Sequence, residues 1–284
     1  MNICIAGLGI IGGSMCMALK RAGQHVWGWN RSKKITDYAL RKGIIDGSAR
    51  DFVEFDVVFV ALPPEATVDF INMHTFKDGA IIADICGVKG YIEREILKRP
   101  RNFRYVGCHP MAGKEVSTIY NACADLFDNA SMVITYNGET SSNAVEVISD
   151  LTKKMGFARI VECTAETHDR KIAYTSQLAH IVSNAYVKNE ELDGCIGFTG
   201  GSFQDMTRIA GVDEGVWSSL YLKNAQNLAR DISALICSLE ELRNAISVGD
   251  KAELEKLLCE GRRLFESRRD ERPLWGDISV IDLK

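Results

Sequence analysis

The sequence predicts an α/β protein in two parts, a doubly wound, mostly parallel sheet followed by an all-helical domain. Two observations lead to this prediction. Short apolar strands alternate with helical segments over residues 1–163, a pattern typical of a parallel sheet with helices on both faces. From residue 164 the strands stop and long helical patterns take over. We therefore predict one domain at residues 1–163 and a second at residues 164–284.

The composition narrows the classes of partner. Of the 284 residues, 46% are hydrophobic and 25% are charged, and the formal net charge is -4. Such a chain lacks the basic surface that binds nucleic acid or an anionic membrane, so we expect a small-molecule partner. The nine cysteines form no CxxC pair, which predicts free thiols, no zinc site and no other metal centre. With no segment of transmembrane length, we expect a cytoplasmic protein.

The first strand, residues 2–6, leads directly into a glycine-rich loop and then into a helical pattern. In this GxGxxG arrangement the first glycine permits a tight turn, the second lets the backbone approach a pyrophosphate, and the third allows close helix packing. The N–H groups and dipole of the following helix face the phosphates. The context predicts a Rossmann-type dinucleotide site at Gly7, Leu8, Gly9, Ile10, Ile11 and Gly12.

The end of the second strand, residues 25–29, bears on the choice of cofactor. The position that often holds an acidic residue, which binds the ribose 2′-hydroxyl of NAD, is Asn30, followed by Arg31 and Ser32. No anion is present to repel a 2′-phosphate, and Arg31 can pair with one, which favours NADP over NAD. In the alternative, Asn30 hydrogen-bonds the ribose of NAD and Arg31 is a solvated surface charge.

The remaining elements of the first part continue the alternation. Strands are predicted at residues 56–62, 80–85, 103–107, 131–136 and 157–162, and helices at residues 66–73, 89–98 and 141–155.

His109 follows the strand at residues 103–107, and Pro110 after it has no N–H to continue the ladder. The imidazole should then lie just past the carboxyl end of a strand, the edge at which open α/β sheets bind ligands. Histidine is also the side chain whose ordinary pKa best suits proton transfer near neutral pH. The alternative is a histidine that caps a turn and has no chemical role.

Two polar groups stand out in the helical part. Ser176 and His180 are spaced to share a helix face, with Gln177 on its edge, so they either line a pocket or face water. A glycine-rich turn ends in Arg208, which either binds a carboxylate through both guanidinium nitrogens or pairs locally with Asp205.

Further along, five apolar residues form one stripe, which is either a core face or a subunit interface. They are Ile232, Leu235, Leu239, Leu242 and Ile246.

Taken together and in order, these motifs resemble the prephenate/arogenate dehydrogenase family of tyrosine biosynthesis, over nearly the whole chain. The matching segments are Gly7 to Gly12, Asp84 to Lys89, His109 to Gly113 with Glu115 and Ser117, Leu126-Phe127, Ser176 to His180, Gly200 to Ala210, and Trp217.

The resemblance implies an oxidative decarboxylation of prephenate to 4-hydroxyphenylpyruvate, with hydride transfer to NAD or NADP. It implies that His109 accepts the proton of the ring hydroxyl, that Arg208 binds a substrate carboxylate, and that Ser176 and His180 contact the substrate. It also implies that Lys89 lies at the cofactor site and that the helical domain forms a homodimer.

One position bears on the choice of substrate within this family, and two others depart from the family pattern. Gln177 is a neutral amide, which favours prephenate over arogenate because the latter carries an ammonium group that an acidic residue would bind. Gly87 replaces a serine of many relatives, so a hydroxyl near His109 is missing. Thr118 replaces a glycine, which predicts a different local turn.

The alternatives are an arogenate dehydrogenase of the same family and, in a different class, a catalytically silent NADP-binding sensor. The missing hydroxyl at Gly87 motivates the sensor, while the presence of His109 and Arg208 argues against it.

Overall fold

A computed structural model describes residues 1–113 and 118–268, and one eight-stranded sheet organises its first part. The strands are β1 (Ile3–Ala6), β2 (Val26–Trp29), β3 (Gly47–Ser48), β4 (Val57–Val60), β5 (Ile81–Asp84), β6 (Arg104–Pro110), β7 (Ser131–Thr135) and β8 (Arg159–Cys163). Their order across the sheet is β3-β2-β1-β4-β5-β6-β7-β8. The β6–β7 pair is antiparallel and the other six pairs are parallel.

Helices connect and follow these strands. They are α1 (Ile10–Arg21), α2 (Lys33–Arg41), α3 (Pro64–Met73), α4 (Gly90–Leu97), α5 (Ser142–Lys154), α6 (Ala165–Ile172), α7 (Leu178–Tyr186), α8 (Gly201–Thr207), α9 (Glu214–Lys223), α10 (Ala225–Val248) and α11 (Lys251–Ser267). The predicted fold class, a mostly parallel sheet followed by helices, is confirmed.

The central strands are buried on both faces, which explains their continuous apolar sequences. In β1, Ile3 and Ile5 belong to a core that α1 and α5 also line, whereas Cys4 and Ala6 belong to a second core lined by α3 and α4. The strands β4 and β5 alternate in the same way. Because successive residues of a strand point to opposite faces, this division places one core on each side of the sheet.

The chain reverses direction across the sheet between β1 and β4, and the glycine loop lies at that point. Gly7 adopts a φ of +100°, and a Cβ there would lie 2.2 Å from the carbonyl oxygen of Ala61. A Cβ on Gly12 would lie 1.9 Å from the carbonyl oxygen of Gly7. A side chain at either position would therefore push α1 away from the strand ends.

The prediction that the strand ends before His109 is wrong, because β6 continues through Pro110. His109 pairs with Val133 in the antiparallel ladder, and Met111 donates its N–H to the carbonyl oxygen of Ser131 at 2.8 Å. Hydrogen-bonded residues alternate along an antiparallel pair, so Pro110 occupies a position at which β7 needs no N–H. His109 therefore lies within the end of β6 and points to one face of the sheet.

The chain forms two compact units, Met1–Leu228 and Ala229–Lys284, so α6 to α9 belong to the same unit as the sheet. A five-residue π turn, Ala173–Gln177, joins α6 to α7, where the sequence predicted one uninterrupted α-helix.

The second unit contains most of α10 and all of α11. In the stripe predicted on α10, Leu239 is 54% exposed and Ile246 is 63% exposed, while Ile232, Leu235 and Leu242 are half-buried. Of the helices within the described ranges, none is both long enough and apolar enough to cross a membrane.

Candidate active site

The imidazole of His109 contacts a second histidine that the sequence did not indicate. His109 Nδ1 lies 2.8 Å from Nε2 of His168, which α6 supplies. His168 Nδ1 in turn lies 2.8 Å from Oδ1 of Asp169. His168 and Asp169 are buried, whereas His109 is partly exposed. The three side chains therefore form a hydrogen-bonded chain from an accessible ring to a buried carboxylate.

The Asp169 carboxylate is held at the start of α4. Its Oδ1 accepts the backbone N–H of Lys89 at 2.8 Å, and its Oδ2 accepts that of Gly90 at 2.9 Å. A Cβ on Gly90 would lie 2.9 Å from Oδ2, so the close approach depends on glycine. Burial alone would raise the pKa of Asp169, but hydrogen bonds from His168, Lys89 and Gly90 outweigh it and lower that pKa. The carboxylate is therefore ionised at neutral pH.

Both imidazoles are held neutral. Burial lowers the pKa of His109 well below 6.5, and the positive charges of His168 and Lys89 would act in the same direction. Burial also lowers the pKa of His168, although the hydrogen bond to Asp169 opposes that effect. Groups with lowered pKa values of this kind carry no charge near pH 7.

The hydrogen-bond chain determines which nitrogen of His109 is basic. An ionised carboxylate can only accept, so the proton of neutral His168 is on Nδ1 and its Nε2 is an acceptor. His109 must then donate from Nδ1, which leaves the lone pair on its Nε2. His109 thus presents a neutral, correctly oriented base.

His109 lines a cavity of about 240 Å³. The walls come from the start of α1, the ends of β5 and β6, the π turn and α9. They are Ile11, Ile85, Gly87, His109, Pro110, Ala112, Ile172, Ser176, Gln177, Trp217 and Leu220. A mainly apolar wall with a few convergent polar groups is typical of small-molecule sites.

The π turn brings two predicted residues, Ser176 and Gln177, to the cavity with His109. Gln177 is 2% exposed, and its Oε1 accepts a hydrogen bond from Asn224 Nδ2 at 2.9 Å. A π turn interrupts the α-helical register, and such turns recur at functional sites. The sequence could not indicate it, because its spacing argument assumed a regular α-helix.

The other two residues predicted to bind substrate do not line this cavity. His180 packs against Trp217 with ring centroids 3.9 Å apart, and its Nδ1 lies 3.0 Å from the carbonyl oxygen of Ile209. His180 is therefore one layer behind a cavity wall. Arg208, directly after α8, is exposed and is absent from the lining residues.

Lys89, predicted at the cofactor site, is fully buried instead. Its ammonium donates to Asp84 Oδ1 and to the carbonyl oxygen of Cys108, both at 2.5 Å. Tyr105 also donates its hydroxyl to Asp84, at 2.6 Å. A buried ammonium must be paired and hydrogen-bonded, and these partners leave no exposed surface for a dinucleotide. Lys89 therefore ties β5 to the residue before His109, which corrects the prediction.

Gly87 lies beside the basic nitrogen, where the family pattern has a serine. A Cβ on Gly87 would lie 3.7 Å from His109 Nε2, at ordinary contact distance. A side chain at position 87 would thus lie near the Nε2 side of the ring, whereas His168 contacts the ring at Nδ1. The base keeps its orientation without that serine.

The segment after the site is only partly described. Glu115 and Ser117 of the family pattern lie outside the described residues. Thr118 adopts a φ of +82°, in the region that glycine favours. Thr118 thus adopts a backbone conformation that side chains other than glycine rarely take, and the expected difference in the local turn stays a prediction.

The glycine loop has the open side that a dinucleotide requires. A Cβ on Gly9 would meet no atom within 4 Å, so the backbone there is accessible to a pyrophosphate. Asn30 Oδ1 accepts the N–H of Leu8 at 3.1 Å, which ties the second strand to the loop. Ser32 precedes α2, yet its hydroxyl makes no capping hydrogen bond. In residues 1–113 and 118–268, no cluster of three or more His, Cys, Asp or Glu side chains is suited to a metal.

The comparisons with known proteins match both parts of the chain. A family model described as "Prephenate dehydrogenase, nucleotide-binding domain" matches residues 15–162, and one described as "Prephenate dehydrogenase, dimerization domain" matches residues 164–260. The chain belongs to the prephenate dehydrogenase family. It is an oxidoreductase whose first part is a nucleotide-binding domain.

Individual proteins resemble the chain over most of its length. Prephenate dehydrogenase of Bacillus subtilis is 30% identical over 95% of this chain and 75% of the relative. Cyclohexadienyl dehydrogenase of Zymomonas mobilis is 29% identical over 88% of this chain and 89% of the relative. The structure of prephenate dehydrogenase from A. aeolicus with hydroxyphenyl propionate and NAD+ has a TM-score of 0.81 and 25% identity, covering 94% and 98% of the two chains.

The neutral histidine pair predicts a pH-dependent stability. In the unfolded chain, His109 and His168 bind protons near pH 6.5, whereas in the folded protein the pKa of each is lower. Between the folded and the unfolded pKa of each histidine, the unfolded state therefore binds more protons. The free energy of unfolding should fall as pH decreases from about 7.5 to about 5, by up to about 1.4 kcal/mol per pH unit for each histidine. Urea unfolding at several pH values measures this slope.

The double variant His109→Asn/His168→Asn should flatten the slope, with His25→Asn as a surface control. An unchanged slope in the double variant would contradict the assignment. The pKa of Asp169 is lowered by folding, so this carboxylate stabilises the folded protein above its unfolded pKa of about 3.9. That contribution is lost only as the pH falls below this value, which lies outside the pH range of the histidine effect.

Proposed function

We propose that the protein is a prephenate dehydrogenase, which converts prephenate to 4-hydroxyphenylpyruvate and CO2 with hydride transfer to NADP+. The observation that carries this proposal is the neutral Nε2 of His109 in the cavity beside the N-terminus of α1. In the reaction, a ring hydroxyl must lose its proton as hydride leaves the same carbon. His109 Nε2 accepts that proton, a role that contributes ~10²–10⁴-fold, or about 3–5 kcal/mol of barrier.

The cavity suits the remaining chemistry. Bound at the glycine loop, the nicotinamide would supply a hydride acceptor. Ile11, Ile85 and Leu220 give that region apolar walls, and Ser176 lies in the wall where its hydroxyl could reach the substrate. Loss of CO2 makes the ring aromatic and so requires no metal and no covalent intermediate. We assign one substrate carboxylate to Arg208, whose guanidinium is always charged. We also assign His180 to the substrate site, where it packs behind Trp217 of the cavity wall.

Gln177 supports prephenate over arogenate. Its amide lines the cavity and is fixed by Asn224, and it carries no charge. Arogenate would bring an ammonium group into a buried site, where an unpaired cation is costly. Preference for arogenate remains the alternative within the same family.

The start of α2 supports NADP. Arg31, Lys33 and Lys34 are exposed around the N-cap residue Ser32, and the first turn of α2 holds no acidic residue. Cations at a helix N-terminus are repelled by the positive end of the helix dipole. A phosphate bound there would be stabilised by the cations and by the dipole. The free hydroxyl of Ser32 adds a donor for the same group.

We also propose that the helical part forms a homodimer. The matched family description names a dimerization domain over residues 164–260, and the α10 stripe leaves Leu239 and Ile246 more than half exposed. A second copy would bury these side chains, each burial contributing about 1.5–3 kcal/mol.

The deciding experiment is a steady-state assay of prephenate and arogenate, each with NAD+ and NADP+. We expect the highest kcat/KM with prephenate and NADP+, because Gln177 and the α2 cations favour those partners. A tenfold preference for arogenate would refute the interpretation of Gln177. Cofactor binding without reduction by either substrate would instead indicate the silent sensor.

Two substitutions separate the proposed roles of His109 and Arg208. His109→Asn should lower kcat by ~10²–10⁴-fold with little change in KM, because only the base is lost. Arg208→Ala should mainly raise KM, by roughly 10- to 100-fold, through the loss of a charge-assisted pair. Arg208→Lys keeps the charge but loses the bidentate geometry, and should be intermediate.

Unchanged cofactor affinity in all three variants would show that the cofactor site is intact. Similar small effects of His109→Asn and Arg208→Ala on both constants would contradict the assignments.

For the cofactor, Arg31→Ala should weaken NADP+ binding by roughly 10- to 100-fold and leave NAD+ binding nearly unchanged, because only NADP+ carries the 2′-phosphate. Titration of each cofactor, followed by intrinsic fluorescence, gives the two Kd values. Arg41→Ala removes the same charge at the other end of α2 and serves as the matched control. Equal weakening of both cofactors by Arg31→Ala would contradict this role.

A further inference from the structure

His168 and Asp169 take no part in the reaction as described above, yet among the described residues His168 is the polar contact of the His109 ring, and Asp169 in turn holds His168. Resting on the proposed function, we propose that His168 is a positioning residue that also receives a proton. When His109 Nε2 takes the hydroxyl proton, the Nδ1 proton of His109 moves to Nε2 of His168.

The transfer balances in atoms and charge. The substrate O–H bond breaks as the Nε2–H bond of His109 forms, and the Nδ1–H bond of His109 breaks as the Nε2–H bond of His168 forms. His109 is then neutral again, with its proton on Nε2. His168 becomes an imidazolium whose Nδ1 already donates to ionised Asp169 at 2.8 Å.

The charges around the pair favour this direction. Among the described residues, His168 is the polar contact of the His109 ring and the charge of Lys89 disfavours a cation there, whereas a cation on His168 directly contacts Asp169. Lys89 is itself paired with Asp84 at 2.5 Å. Asp169 gains further support from the N–H groups of Lys89 and Gly90 at the start of α4.

Burial keeps the proton on a single route. His168 is 2% exposed and Asp169 is 6% exposed, so solvent has little access to the imidazolium. Among the described residues, His109 is in direct contact with the His168 ring and also lines the cavity, so the proton returns to the cavity through His109. Asn224 Nδ2 donates both to the carbonyl oxygen of Asp169 at 2.8 Å and to Gln177 at 2.9 Å, which joins the buried pair to the cavity wall.

His168→Gln tests the transfer, because a glutamine oxygen can still accept the His109 Nδ1–H but cannot take a proton. We expect kcat to fall about 10- to 100-fold, a part of the ~10²–10⁴-fold that a general base supplies, with KM and cofactor Kd nearly unchanged. The proton inventory of kcat in H2O/D2O mixtures should be curved for the wild type and linear for the variant. His25→Gln, on the exposed surface, is the matched control.

A purely structural His168 predicts a different outcome, in which His168→Gln retains the wild-type kcat, pH profile and proton inventory while His168→Phe loses activity. That result would overturn the proposal.

Histidine ¹⁵N NMR of the full-length wild-type protein tests the arrangement without turnover or a variant. We expect the protons of both His109 and His168 on Nδ1. A proton on Nε2 of His109 would overturn the proposal even if prephenate is turned over. Conversely, the expected tautomers in a protein that does not use prephenate would reject the substrate assignment and retain the hydrogen-bond chain.

Discussion

The site depends on a carboxylate held at the N-terminus of a helix. Asp169, from the first helix after the sheet, accepts the N–H groups that open α4 and thereby joins two parts of the chain about 80 residues apart. This contact keeps Asp169 ionised although it is buried. Ionisation determines the tautomer of His168, and through it the nitrogen on which His109 is basic.

A second buried pair, Lys89 with Asp84, holds the end of β6 in place. Lys89 binds Asp84 and the carbonyl oxygen of Cys108, the residue before His109. Replacing one partner would leave the other charge buried and unpaired, which costs about 3–5 kcal/mol. Lys89 therefore has two effects on His109. It holds the backbone of β6 in place, and its positive charge helps to keep the imidazole neutral.

Several features could be predicted from local patterns. The glycines of the loop satisfy backbone requirements that no other residue meets, as the 1.9 Å approach at Gly12 demonstrates. The position of His109 at a strand end and at a cavity also followed from the order of strands. The error at Pro110 arose because the pairing direction of β7 was unknown, and in an antiparallel ladder that proline costs nothing.

The sequence by itself determined the alternation of strands and helices, the dinucleotide loop and the family pattern around His109, because each depends on residues close together in the chain. Only the tertiary structure decided what lies behind His109 and which side chains share its cavity. His168 is 59 residues from His109, Lys89 is buried, and a π turn places Ser176 and Gln177 at the cavity while His180 lies on the following helix. Such contacts depend on the path of the whole backbone, which local periodicity does not encode.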